Sequence, residues 1–130
     1  MNINIVFGTD DGKKLKGDNH VGNSEYFAVY NLSEDRVEFI EQRKNPKYEE
    51  NKTETHGDPQ KAKTVSSILK GIDVIVGQRF GPNITRLRNK FLCVIIRVPL
   101  IEQAIEVMKE NINEIVEEIN KEERMGIVLS

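Results

Sequence analysis

The stretch Gly8 to Lys14 reads G-T-D-D-G-K-K, with two adjacent carboxylates between glycines and two lysines behind them. It is one residue shorter than the phosphate-cradling G-x-x-x-x-G-K-[ST], and Lys14 stands where that motif needs a hydroxyl for magnesium. Asp10 and Asp11 would also set negative charge where main-chain amides should meet phosphate. A magnesium-dependent nuclease uses such carboxylates, but it needs three or four converging on one metal pair. Asp58 is expected to cap a helix and Asp73 to stand at the start of a strand, so the segment reads best as a turn that folds Leu15 back onto the core. His20 lies in G-D-N-H-V-G-N-S (Gly17 to Ser24), a loop by composition, where a neutral imidazole is available as a metal ligand. His56, beside a helix start, reads as an ordinary loop histidine. A third stretch, Gly77-Gln78-Arg79-Phe80-Gly81-Pro82-Asn83, places amides at an expected helix N-terminus next to Arg79, which suits an anion. Cys93, inside the apolar run F-L-C-V-I-I, is expected to be a buried, unreactive thiol.

The elements that must position these residues follow from hydrophobic periodicity. Asn2 to Gly8 alternates as a first strand. E-Y-F-A-V-Y-N-L and R-V-E-F-I-E-Q-R-K, joined by S-E-D, form an antiparallel hairpin, with Val37, Phe39 and Glu41 on one face and Ile40 on the other. Lys47 to Gly57 has almost no apolar residues and reads as a mobile surface loop. Asp58-Pro59 starts a helix that ends at Gly71. I-D-V-I-V-G reads as a buried parallel strand, Gly81-Pro82 as a second helix start, and F-L-C-V-I-I-R-V as another buried strand. Apolar positions from Ile101 to Ile119 trace one face of a helix running to about Glu123, with a break near Asn111 to Asn113. The closing M-G-I-V-L-S is an apolar tail without an assigned place. The order β, β, β, α, β, α, β, α predicts an α/β three-layer sandwich with right-handed crossovers. Its ligands should sit where strand order reverses, at the carboxyl ends of the strands.

The chain has 130 residues, the size of a single domain, with 19 Lys and Arg against 21 Asp and Glu. The resulting net charge of −2 gives no basic field for nucleic acid. A single cysteine excludes an internal disulfide framework and any four-cysteine site within one chain. No stretch is apolar enough to span a bilayer, and M-N-I-N-I-V lacks the features of a signal peptide, so a cytoplasmic protein is expected.

The T-D-D-G loop, G-D-N-H-V-G-N-S-E-Y-F-A-V-Y, H-G-D-P-Q-K-A-K, D-V-I-V-G-Q-R-F-G-P-N-I-T-R-L and P-L-I-E-Q-A-I-E together resemble the dinitrogenase iron-molybdenum cofactor-binding family over nearly the whole chain. The family pattern near H-F-G-R-A is matched by His20, Gly22 and Tyr26-Phe27, with Val21 in place of the aromatic. The family's G-x-G-P corresponds to Arg79-Phe80-Gly81-Pro82. The resemblance implies a ribonuclease-H-like α/β domain with a mixed five-stranded sheet. It also implies a non-enzymatic binding or carrier role for an iron-sulfur or iron-molybdenum type cluster, as in nitrogenase cofactor biosynthesis. On that reading His20 is the metal ligand, Gly77, Arg79, Gly81 and Asn83 help hold the cofactor, and a cluster donor or acceptor protein is the expected partner. Two other classes stay open: a sensor for a small anion, nucleotide or phosphometabolite centred on Arg79, and a nuclease using Asp10 and Asp11.

Overall fold

The computed structural model describes residues 2–34, 36–45, 68–81, 90–121 and 126–130. Six strands form one mixed sheet: β1 (Ile3–Thr9), β2 (Tyr26–Ser33), β3 (Arg36–Lys44), β4 (Val74–Gly77), β5 (Leu92–Ile96) and β6 (Ile127–Leu129). Helices α1 (Ile101–Glu110) and α2 (Ile112–Ile119) lie between β5 and β6 in sequence. The order across the sheet is β3-β2-β1-β4-β5-β6. β2 runs antiparallel to β1 and β3, whereas β4, β5 and β6 continue parallel from β1. β1 and β4 are adjacent and parallel, with Val6 opposite Ile75.

The expected five-stranded sheet is corrected to six. The tail I-V-L pairs with Val94 to Ile96, and its Leu129 is buried in the core. Three residues carry too weak a periodic signal to be read as a strand, but an open edge of β5 supplies the hydrogen-bonding partners. A second correction falls on β3. The register slips between Val29 and Tyr30, so Tyr30 faces Phe39 while Val29 faces Glu41. Ile40 is the extra residue of this bulge, and beyond it Glu41 lies on the face opposite Phe39 rather than with it.

Alternation divides the apolar residues between two faces. Ile5, Phe7, Val74, Val76, Val94 and Ile96 point one way, to Ile101, Ala104, Met108 and Ile115 of the helices. Val6, Phe27, Val29, Ile75 and Cys93 point the other way, to Val21, Leu69, Ile72 and Phe91. The expected break in the last helix falls at Asn111, whose φ of −119° and ψ of 24° leave the helical region. The helical pattern then ends at Ile119, short of Glu123. The expected helices from Asp58 and Pro82, the loop Lys47 to Gly57, and His56 and Asn83 lie outside the described residues.

Candidate functional site at the carboxyl ends of β1 and β4

The strand order reverses between β1 and β4, because the chain places β2 and β3 on one side of β1 and β4 to β6 on the other. Both strands end in small residues at this edge, Gly8 before Thr9 in β1 and Gly77 in β4. Val21 explains the choice. A β-carbon on Gly8 would come within 2.5 Å of Val21 Cγ2, and one on Gly77 within 2.9 Å of Val21 Cβ. Glycine at both positions lets the loop after β1 lay Val21, 3% exposed, across the two strand ends.

The loop from Asp10 to Glu25 is built from local side-chain bonds. The buried Thr9 hydroxyl donates to the Lys14 carbonyl (2.6 Å) and accepts from the Gly12 amide (2.9 Å). Asp11 Oδ1 accepts the amides of Lys13 (2.9 Å) and Lys14 (2.8 Å), with Gly12 at φ 83° completing the turn. Those two amides hold the Asp11 carboxyl below its ordinary pKa. Asp10 accepts from Lys16 Nζ (2.6 Å) and, through its other oxygen, from the Glu25 amide (3.0 Å). Lys16 also pairs with Asp18 at 3.0 Å, and its bond to Asp10 leads in raising the ammonium's pKa. Both carboxylates thus help build the turn. Leu15 does fold back onto the core.

His20 is not the loosely tethered imidazole that its glycine-rich context suggests. Its amide bonds Asn19 Oδ1 (2.8 Å), its carbonyl accepts from Asn23, and the next amide, Val21 N, donates to the Arg79 carbonyl (2.8 Å). The buried Asn45 side chain, at the end of β3, donates to the carbonyls of Gly22 and Ser24, both at 2.9 Å. The half-buried imidazole lies against Gly81: a β-carbon there would stand 2.5 Å from Nδ1 and 3.0 Å from Cγ. That contact sets the Nδ1 side of the ring against the main chain.

The expected site residues thus fall into distinct places. His20 and Gly81 touch, and Arg79 joins them through its carbonyl. Gly77 pairs with Ile95 inside the sheet and lies under Val21, so it belongs to the floor of the site. Cys93 is buried near the start of β5, away from this edge. Asp73 anchors the opposite edge, where its carboxylate accepts the Asn4 amide at 2.9 Å. Among the described residues no three His, Cys, Asp or Glu side chains gather to hold a metal ion. A groove of about 470 Å3 beside Tyr30, Leu100, Ile101 and Ile105 lies on the α1 face and does not include His20.

The family model for dinitrogenase iron-molybdenum cofactor matches residues 1–122. The chain belongs to that family. A comparison with curated proteins finds no match to this sequence. The family's description names an iron-molybdenum cofactor, and a preassembled metal cluster makes different demands from a lone ion. A single ion needs a closed set of protein ligands. A cluster that arrives with its own bridging sulfurs can be held through one imidazole and its shape. The space over Gly8 and Gly77 is taken up by Val21 and that over Gly81 by the His20 ring, so the imidazole packs directly on the main chain at this edge. Sequence reading missed the buttresses, Val21 beneath the loop and Asn45 behind it. Asn45 carries no local signal, since its role depends on β3 ending beside Gly22.

Proposed function

We propose that this protein is a non-enzymatic carrier for an iron-molybdenum type cluster, or an iron-sulfur precursor of it, with the cluster as cargo. The observation that carries the reading is the His20 ring, set against Gly81 at the switch point between β1 and β4 in a chain of this family. An imidazole is a suitable ligand for iron, and a single protein bond suits cargo that must be handed on. Sheet order and the antiparallel β2 support a ribonuclease-H-like description of the domain. A cytoplasmic location and a donor or acceptor protein as partner belong to the same reading.

Anaerobic reconstitution of the purified chain with iron and sulfide tests it. The wild type is expected to acquire iron and a charge-transfer absorption, and His20→Ala to lose most of both. His56→Ala is expected to load normally. Equal iron per chain and equal spectra for wild type and His20→Ala, or no uptake by either, would overturn the reading.

A further inference from the structure

The sheet register joins two segments that look alike in sequence. V-G-Q-R (Val76 to Arg79) and V-I-I-R (Val94 to Arg97) lie side by side, with Val76 opposite Val94 and Gly77 opposite Ile95. Each strand then sends an arginine two residues beyond that last rung, at the carboxyl edge of the sheet. The two arginines line one cleft of about 440 Å3, together with Gln78, Phe80 and Ile95. Among the described residues no carboxylate lines it and neither guanidinium has an ion-pair partner. Like charges on neighbouring strands repel, and the arrangement is relieved when a dianion lies between them.

We propose that Arg79 and Arg97 form a subsite for the phosphate group of a small phosphate monoester. Two guanidiniums match a phosphate dianion in charge, and each offers forked donors to its oxygens. A carboxylate would neutralise only one of them. The Gln78 side chain does not compete, because its amide nitrogen donates to the Val98 carbonyl at 2.7 Å. The half-buried Phe80 and Ile95 supply an apolar wall, and the cleft is larger than a phosphate alone requires, leaving space for the organic part of the ester. Phe80 and Arg79 belong to the segment whose main chain meets the His20 loop, so the subsite borders the proposed cluster site without sharing its imidazole. The assignment does not rest on the cluster reading.

Calorimetric titration of the full chain at low ionic strength, with AMP and with inorganic phosphate as separate probes, tests the proposal. One saturable site is expected. Arg79→Gln and Arg97→Gln are each expected to weaken binding by about tenfold or more, in line with loss of a charge-assisted hydrogen bond. Both arginines are exposed, so the variants should retain the wild-type circular dichroism spectrum. Arg97→Lys should recover part of the affinity, keeping the charge but not the fork. Tighter binding of AMP than of phosphate supports the ester. Binding of phosphate alone would reassign the subsite to the free ion and overturn the ester. Absence of saturable binding, or unchanged affinity in both glutamine variants, overturns the subsite itself. His20→Ala should bind AMP as the wild type does, which separates this result from failure of cluster loading.

Discussion

At Gly81 a β-carbon would stand 2.5 Å from the Nδ1 of His20, so the missing side chain and the imidazole are one design. Gly81→Ala is therefore expected to push the ring out of place while leaving the strands intact. Iron loading should fall towards that of His20→Ala, while the melting temperature shifts far less than for a core substitution; unchanged loading would separate the ring from the site. Asp11 gives a pH-dependent counterpart at the same scale. Its folded pKa lies below the unfolded value because the amides of Lys13 and Lys14 donate to the carboxylate. The contribution is present above the unfolded pKa and is lost as pH falls through the folded one. Carbon-detected titration by NMR should find Asp11 ionised at a pH where free aspartate is already protonated, and Asp11→Asn should lose that acid dependence.

Among the elements, the loop between β1 and β2 behaves as part of the sheet's edge. Val21 rests on Gly8 and Gly77, so its tolerance to change depends on both strands. Gly77→Ala should destabilise the protein by about 1–3 kcal/mol through overpacking. Val21→Ala should cost about 2 kcal/mol through the lost contact and the space it leaves. Because the two changes act on the same volume, the double variant should be markedly more stable than the sum of the single losses. Urea denaturation of the four proteins measures this, and simple additivity would mean that Val21 does not rest on Gly77 in solution. The bulge at Ile40 is a comparable local device: it brings Phe39 against Tyr30, whose ring contacts Phe7 at 5.4 Å edge-on.

For the whole molecule, the sheet is extended on opposite sides of β1 by two kinds of strand. The hairpin β2-β3 forms one side, and the parallel series β4, β5 and β6 forms the other. β6 closes the series by burying Leu129 beneath the helical face and occupying the edge of β5. Removing residues 126–130 should lower stability by about 2 kcal/mol or more from the loss of Leu129 alone, and should expose a strand edge prone to association. Thermal unfolding and light scattering report the two effects. A truncated chain as stable and monodisperse as the full one would show that β6 contributes nothing to the sheet.

The sequence by itself determined the strands with strong period-two or continuous apolar runs, the hairpin, the amphipathic helix with its break at Asn111, and the membership that residues such as His20 and Gly81-Pro82 announce. These are local signals, each legible within some ten residues. It also separated the two arginine-bearing segments V-G-Q-R and V-I-I-R without indicating that they meet. Only the tertiary structure decided the sixth strand, the bulge that reverses Glu41, and the contacts that fix the site. Val21 on Gly8 and Gly77, Asn45 behind the His20 loop, and Arg97 beside Arg79 join residues far apart in the chain. Their pairing follows from strand register, and register is settled by how whole faces pack against one another.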